Sequence, residues 1–259
     1  ENAVAALGEL FDTQVLPSQT AAIVIEPQLR EGGFIPAPFD FLQELRRFTL
    51  EHGIVLILDE IQSGFGRTGK MFGHQHYGVK PDIIAVAKGI VSAYQPIAAT
   101  IVRNDVFKSF VGEPTENRQV FQVSTYGGHP VAAALANRNV EIILEEKLVE
   151  RSATNGAYLL DGLRSLMKHP WVGDVRGKGL LCGVELVKDR QSKEVVGPDR
   201  IKGVVDFARK NGVIVGRSGG RGSTITLSPP LVITRSEIDR VVAVLHKAIQ
   251  EMGSQLGAA

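Results

Sequence analysis

The chain of 259 residues is 44% hydrophobic, 22% charged and 6% aromatic, which is typical of a globular protein with one large core or two domains. Lys and Arg number 29 against 28 Asp and Glu, so the net charge of +1 gives no electrostatic footprint for nucleic acid. No apolar run approaches the roughly 20 residues that cross a bilayer. Cys182 is the only cysteine, which excludes an intrachain disulfide and favours a reducing, cytoplasmic setting.

The first half of the chain alternates predicted strands with helices. Residues 38–52 repeat leucine and phenylalanine at helical spacing and stop at Gly53, which predicts a helix with a glycine after its end. Short apolar runs predict buried strands at 21–26, 54–58, 82–87 and 97–102. This alternation predicts an α/β architecture with a mostly parallel sheet and helices on both faces.

The second half has longer helices and shorter strands. The clearest helix follows a capping box, Thr234-x-x-Glu237. Other helices are predicted at 130–146, 147–167 and 199–210, and strands at 172–176, 179–187, 213–215 and 224–227. We therefore expect two domains, with residues 1–150 forming the α/β part and residues 151–259 forming a small α+β domain.

Two charged residues end neighbouring predicted strands. Asp59 follows the run IVLIL, and Lys88 follows DIIAVA. Taken alone, Asp59 could be an exposed loop acid and Lys88 could be a surface charge, because both are common in proteins. As a pair at the carboxyl ends of two strands, they can face each other across one crevice. Such a pair suits a pyridoxal cofactor, which needs an amine to bind its aldehyde and an acid to keep its ring nitrogen protonated.

Other motifs leave alternative sites open. Asp59 and Glu60 could form a metal site with His74-x-His76, but no third ligand is spaced to join those histidines. The glycine-rich runs 64–69 and 216–222 could cradle a phosphate, although such runs are more often mobile or tightly turned loops. The second run also lacks the Gly-Lys-Ser/Thr ending of a nucleotide-binding loop. We expect neither a metal nor ATP.

A set of motifs in a fixed order resembles one family across nearly the whole chain. The stretch DEIQSGFGRTG at 59–69 is followed by PDIIAVAKG at 81–89. Further matches are Glu26-Pro27 with Gly32-Gly33, STYGGHP at 124–130, RGKGL at 176–180 and PPL at 229–231. Together they resemble the class III aminotransferases, pyridoxal-phosphate enzymes of fold type I that include omega-amino acid–pyruvate and alanine–glyoxylate transaminases.

This resemblance implies a role for each matching residue. Lys88 would form the Schiff base with pyridoxal 5'-phosphate and then move a proton between the substrate carbon and the cofactor. Asp59 would pair with the pyridinium nitrogen, Ile61 would pack on one ring face, and Gln62 would donate to the phenolic oxygen. Thr125, otherwise an ordinary strand-end hydroxyl, would bind the cofactor phosphate in the partner subunit's site, which makes a homodimer obligatory for catalysis.

Substrate preference in the family depends on an arginine. In ornithine-type members it lies just before an Ala-Pro-Pro segment, and Thr226 stands at that position here. In the omega and alanine–glyoxylate branches it lies in the loop after the preceding strand, where Arg217 matches best and Arg221 is the reserve. A guanidinium suits a bidentate carboxylate contact, so we expect a pyruvate- or glyoxylate-accepting enzyme.

The sequence also departs from the family pattern. The family usually has glycine where Arg30, Ala93 and Ala98 stand, and larger groups there would alter the pocket or its rim. The resemblance begins in the middle of the family pattern, so we expect Glu1, which follows no initiator Met or signal segment, to be a cut end. The part absent from this chain supplies a Ser/Gly-rich phosphate turn and an aromatic that stacks on the cofactor ring.

Three functions stay open at this point. The chain could belong to a transaminase that moves an amino group from an amine or omega-amino acid to a 2-oxo acid by a ping-pong reaction. It could be a non-catalytic fragment or remnant that cannot complete the cofactor site alone. It could also serve an aminomutase or a lyase, because a fold does not fix the chemistry performed on it. In each case we expect small-molecule substrates and no membrane or nucleic-acid partner.

Overall fold

The computed structural model describes residues 3–122 and 124–256, and the chain divides into two compact units. The first comprises Glu1–Pro27, Ala37–Phe65 and Phe72–Glu146. The second comprises Gln28–Pro36, Gly66–Met71 and Lys147–Ala259. The domain boundary that the sequence suggests near residue 150 stays a prediction, and no sequence signal indicated that two short early segments would group with the C-terminal half.

The first unit contains a small sheet and its helices. Its helices are α1 (Ala3–Thr13), α2 (Phe39–Glu51), α3 (Asn104–Lys108) and α4 (Pro130–Glu145). Its strands are β1 (Ala22–Ile25), β4 (Val55–Asp59), β5 (Ile83–Val86) and β6 (Ala99–Val102). The strand order is β1-β4-β5-β6; β1 and β5 pair with β4 in parallel, and β6 pairs with β5 antiparallel. The predicted α/β class with a mostly parallel sheet is therefore confirmed.

The core of the first unit lies where α2 packs on the sheet. Leu42 and Leu45 of α2 meet Leu56 and Leu58 of β4, and all four side chains are fully buried. These positions follow directly from helical and strand periodicity, since each set falls on one face of its element. On the opposite face of β1, Val24 is 65% exposed.

The second unit is built on an antiparallel sheet. Its helices are α5 (Leu148–Arg164), α6 (Pro198–Lys210) and α7 (Arg235–Leu256). Its strands are β2 (Gln28–Leu29), β3 (Ile35–Pro36), β7 (Val172–Lys178), β8 (Leu181–Asp189), β9 (Glu194–Val195), β10 (Gly216–Ser218) and β11 (Thr224–Leu227). The sheet order is β10-β11-β8-β7, with β9 on β8, while β2 and β3 form a separate hairpin.

The three long helices bury one face of this sheet. Cys182 and Val184 of β8 and Ile225 of β11 face a large apolar cluster that includes Leu159 of α5 and Leu245 of α7. Burial raises the pKa of the Cys182 thiol to about 12, so this cysteine acts as a core residue. The predicted capping box is confirmed, because the backbone N–H of Thr234 donates to Glu237 Oε2 at 2.7 Å.

One predicted strand was wrong. The sequence suggested residues 213–215, whereas the strand that pairs with β11 is β10, at Gly216–Ser218. Val213 and Val215 are buried, and Ile214 between them is 87% exposed. This alternation of buried and exposed side chains is typical of a strand. Here, however, Val213 and Val215 pack into the core, and backbone pairing with β11 begins only at Gly216. Helices α1 and α3, strand β9 and the β2–β3 hairpin were not predicted.

Among the described helices, none combines the length and the apolar content needed to cross a membrane.

A cluster of left-handed residues follows β5. Lys88, Ser92 and Ala93 have φ angles of 43°, 50° and 65°, in a region that costs residues with a Cβ about 1–2 kcal/mol. Ala93 is a position where the family usually has glycine, and its backbone conformation supplies the reason. Ala98, the other such position nearby, is not among the residues with positive φ.

We predict that Ala98→Gly destabilises the protein and that Ala93→Gly does not. Glycine relieves the strain at 93, which offsets its larger entropy when unfolded, so the free energy of unfolding should stay level or rise by up to about 1 kcal/mol. At 98 only the entropic penalty remains, and we expect a loss of about 0.5–1 kcal/mol. Urea unfolding of both variants measures the difference, and equal losses would contradict the strain argument.

Candidate active site

The pairing of β4 with β5 brings two predicted site residues to one edge of the first unit's sheet. The strands run parallel, with Asp59 opposite Ala85. The ladder continues one bond further, because the N–H of Glu60 donates to the carbonyl of Ala85 at 2.9 Å. Asp59 therefore ends β4 where Lys88 follows β5, at the carboxyl edge where α/β sheets bind their ligands.

The Asp59 carboxylate is oriented by its own loop. Its Oδ1 accepts a hydrogen bond from the backbone N–H of Ile61 at 2.9 Å, an Asx turn that bends the chain directly after the strand. Asp59 and Ile61 are both half-buried. Within the described residues, no hydrogen bond reaches the second carboxylate oxygen, which can accept a donor from a bound group.

Gln62 carries an unsatisfied polar atom. Its Oε1 is buried without a hydrogen-bond partner among the described residues. A buried amide oxygen without a partner costs free energy, and in a native protein it calls for an explanation such as a bound molecule. Three positions after Asp59, this amide oxygen is the observation that favours a polar ligand at the sheet edge.

Lys88 begins a tight turn that another helix holds in place. Asn139 of α4 donates from Nδ2 to the carbonyls of Gly89 at 2.8 Å and Ile90 at 3.1 Å. Ser92 Oγ donates back to Asn139 Oδ1 at 2.8 Å. These bonds sustain the left-handed conformation of Lys88, and such strain is concentrated at functional sites. Sequence reasoning missed Asn139, because it lies about 50 residues away with no local motif.

Glu60 serves the fold instead of a ligand. It is fully buried, and its Oε2 accepts from Ser63 Oγ at 2.5 Å and from the N–H of Gly73 at 2.7 Å. Its Oε1 accepts from the N–H of His74 at 2.7 Å and lies 3.0 Å from His74 Nδ1. Burial raises the pKa of Glu60, but the bonds from His74, Ser63 and Gly73 outweigh it, so the net pKa is lowered. With both oxygens occupied, Glu60 anchors the 73–74 turn.

The glycine-rich run 64–69 is a close-packed segment and not a phosphate cradle. In the second unit, a Cβ on Gly69 would lie 2.8 Å from Ala153 Cα of α5. A Cβ on Gly179 would lie 2.3 Å from the carbonyl carbon of Thr68. Protein atoms fill the space beside these glycines, so the tight-turn interpretation of this run is correct.

The other predicted residues belong to other segments of the chain. Thr125 is exposed in the first unit, outside the helices and strands. Arg217 is exposed in the second unit, on edge strand β10. Because Arg217 pairs with Ile225, the two side chains leave the sheet on the same face. Arg221 is also exposed, in the turn between β10 and β11. The structure thus places Asp59, Ile61, Gln62 and Lys88 at one edge of the sheet, and the roles of all seven residues remain proposals.

The whole pattern matches a known family. The family model described as Aminotransferase class-III matches residues 1–249, so the chain belongs to the class III aminotransferases. These enzymes have fold type I and depend on pyridoxal phosphate.

Individual relatives refine this picture. The taurine–pyruvate aminotransferase of Bilophila wadsworthia is 39% identical over 247 residues, which are 93% of this chain and 54% of that protein. A Bacillus anthracis aminotransferase structure matches with a TM-score of 0.93 and 42% identity over 97% of this chain and 56% of that chain. An amine transaminase from an uncultivated Pseudomonas species, described in its PLP-bound internal aldimine form, matches with a TM-score of 0.91 and 35% identity over 96% and 56%. The chain spans about half the length of the curated relatives it matches.

We predict that Glu60→Gln destabilises the first unit in a pH-dependent manner. The folded pKa of Glu60 lies below its ordinary value of 4.5, so its ionised form stabilises the fold fully above that pH. The contribution is lost as the pH falls through the lowered pKa. The variant should be less stable than wild type by about 2 kcal/mol at pH 7, and the gap should narrow below pH 4.

Thermal unfolding of both proteins between pH 7 and pH 3 measures this effect. Glu51→Gln, at an exposed position on α2, is the matched control and should show no such gap. A constant gap for Glu60→Gln at every pH would contradict the role of its charge.

Proposed function

We propose that this chain is part of a pyridoxal-phosphate-dependent transaminase that moves an amino group from an amine or omega-amino acid to a 2-oxo acid. The observation that supports this most is the pairing of β4 with β5, in which Asp59 ends one strand and Lys88 follows its parallel neighbour. Membership of the class III family gives that pair its chemical meaning.

The residues at this edge fit the cofactor. Asp59 has a carboxylate oxygen available for a proton-bearing ring nitrogen, and the buried Oε1 of Gln62 lacks a partner within the described part of the chain. Ile61, half-buried between them, offers an apolar surface for one face of the ring. When bound, pyridoxal phosphate supplies an electron sink for the charge that develops at the substrate carbon.

Each side chain then has a distinct task in the proposal. Lys88 Nζ would hold the cofactor through its aldehyde and would carry a proton from the substrate carbon and back. The Asp59 carboxylate holds a proton on the ring nitrogen, and an ionised acid is suited to this because it favours the charged ring. Nε2 of Gln62 would donate to the phenolic oxygen, and its unpartnered Oε1 would accept from a different donor. Thr125 would bind the cofactor phosphate in the site of a second copy, so we propose a homodimer.

The substrates follow from the family branch. Relatives named as taurine–pyruvate aminotransferases accept pyruvate by their name, and we propose pyruvate or glyoxylate as the acceptor here. Arg217 would contact the carboxylate of that acid, with Arg221 as the reserve.

We propose residues 1–150 as the cofactor-binding part and 151–259 as the small domain, and we propose a cytoplasmic location.

Lys88→Ala should abolish specific cofactor attachment. We would incubate the chain with pyridoxal phosphate, reduce it with borohydride and map the adduct by peptide mass. Wild type should carry one saturable adduct on Lys88, and the variant should carry none, because the amine that attacks the aldehyde has been removed. Lys80→Ala, at an exposed lysine in the same unit, is the matched control and should behave as wild type.

Two other results of that experiment have definite meanings. An unchanged adduct in the Lys88 variant would refute the site assignment. Adducts scattered over surface lysines in wild type would mean that the chain holds no cofactor site alone, which is the alternative of a non-catalytic fragment.

Asp59→Asn should retain the cofactor and lose the reaction. Asparagine is nearly isosteric but carries no charge to keep the ring nitrogen protonated, so amino transfer should slow by about 100-fold or more. Alanine formation from pyruvate and an amine donor measures the rate, with Asp105→Asn at an exposed site as control. An undiminished rate in the Asp59 variant would contradict the electron-sink argument. Consumption of many equivalents of donor per cofactor without pyruvate would identify a lyase, because a transaminase consumes only one equivalent before it needs the 2-oxo acid.

A further inference from the structure

The β2–β3 hairpin of the second unit lies unusually close to the sheet. A Cβ on Gly183 of β8 would be 2.6 Å from the carbonyl oxygen of Gly33, in the hairpin turn. Gly33 itself has φ +104°, and a Cβ there would be 2.6 Å from Arg176 Nη2 and 2.7 Å from Thr224 Oγ1. Glycine at both positions therefore permits a backbone approach that any side chain would prevent.

Arg176 of β7 bonds to the hairpin turn and to the sheet at the point where they approach each other. Its Nε donates to the carbonyl of Gly33 at 2.9 Å, and its Nη2 donates to Thr224 Oγ1 at 3.2 Å. Its Nη1 donates to Glu185 Oε2 at 2.5 Å and to Asp174 Oδ2 at 2.8 Å. The side chain is only 13% exposed. One guanidinium thus binds the hairpin turn, β8 and β11 together.

The same turn holds the glycine-rich loop that follows β10. The N–H of Gly219 donates to the carbonyl of Glu31 at 2.8 Å, and Ser218 Oγ lies 3.4 Å from the carbonyl of Arg30. A Cβ on Gly219 would be 2.9 Å from Thr224 Oγ1, the hydroxyl that Arg176 also contacts. The 216–222 loop is therefore held by the hairpin, and the hairpin is held by Arg176.

We propose that Arg176 is a positioning residue for the substrate-recognition loop. By fixing the 30–34 turn, it fixes the loop backbone next to Arg217, which determines where that guanidinium can meet a 2-oxo acid carboxylate. The assignment of Arg217 rests on the proposed function, whereas the mechanical link from Arg176 to the loop rests on the contacts above. Arg176 itself does not touch the substrate.

Arginine is required at this position by geometry. Its planar fork sends donors in three directions at once, to a carbonyl, to two carboxylates and to a hydroxyl. A lysine has one ammonium on a flexible stem, so it can keep the contact with the carboxylates but cannot reach the other partners with the same geometry. Arg176→Lys should preserve the charge and lose much of the loop restraint.

Limited trypsin digestion tests the link, because trypsin cuts after Arg217 and Arg221 when the loop opens. Cleavage after Lys108, in the first unit, serves as the internal reference. In Arg176→Gln, loop cleavage relative to Lys108 should rise about tenfold or more, since the rate follows the population of the open form. Arg176→Lys should show an intermediate rise. Arg164→Gln removes an exposed arginine of the same unit and should match wild type.

Two outcomes would overturn the proposal. One is an unchanged loop ratio in Arg176→Gln, and the other is an equal rise at Lys108 and at the loop, which would mean general unfolding. Glu185→Gln retains the bonds of Arg176 to Gly33 and Thr224, and it should give a smaller, loop-selective rise. If Arg176→Gln does not fold, the absence of that rise in Glu185→Gln overturns the proposal.

Pyruvate separates this proposal from the proposed function. With the cofactor present, pyruvate should slow cleavage after Arg217 in wild type, and Arg176→Gln should need about tenfold more pyruvate for the same effect. If pyruvate protects neither protein, Arg217 is not the carboxylate contact, and the cleavage ratios still decide the role of Arg176. Equal pyruvate requirements in both proteins would refute the link between Arg176 and substrate binding.

Discussion

The parallel pairing of β4 with β5 is the constraint on which the candidate site depends. Its register sets Asp59 opposite Ala85, and the further bond between Glu60 and Ala85 extends the ladder to the edge of the sheet. A slip of one residue would turn the side chain of Asp59 to the other face. The apolar core under α2 prevents such a slip, because it would also move Leu56 and Leu58 out of the buried layer.

The turns at that edge are held by bonds from distant residues. Glu60 bonds to the 73–74 turn from one side, and Asn139 bonds to the Lys88–Ile90 turn from the other. In each case a charged or amide side chain bonds to the backbone of the turn, and these bonds hold the turn in place. A site built in this manner is organised before any ligand binds.

Sequence patterns predicted most of the strands and helices, because apolar periodicity reports burial directly. They predicted Asp59 and Lys88 as a pair, since the end of a buried strand is visible in the sequence as a charged residue after an apolar run. They failed at 213–215, where Val213 and Val215 fill the core without pairing. Periodicity registers which side chains are buried and not which backbone groups are bonded, so the true start of β10 could not be inferred from it.

The sequence also did not predict the long-range polar contacts. Asn139 and Arg176 act on partners about 50 and 143 residues away, and neither has a neighbour in sequence that indicates its partner. The glycines predicted only part of the local structure. A run such as 64–69 predicts a tightly turned backbone, but it does not predict which protein atoms pack beside that backbone. The structure shows that α5 and the turn at Gly179 pack there.

Backbone strain and an unpaired polar atom occur together near the Lys88 turn. Lys88 and Ala93 both have left-handed backbones, and Gln62 has a buried oxygen without a partner in the described chain. Each costs free energy in the isolated fold, and each lies at or just beyond the edge where Asp59 ends its strand. A bound polar group could satisfy Gln62 but cannot relieve the backbone strain, which Asn139 must sustain whether or not a ligand is present. The two costs therefore have different origins: the first is an unpaired acceptor on Gln62, and the second is the local geometry that sets where Lys88 begins its turn.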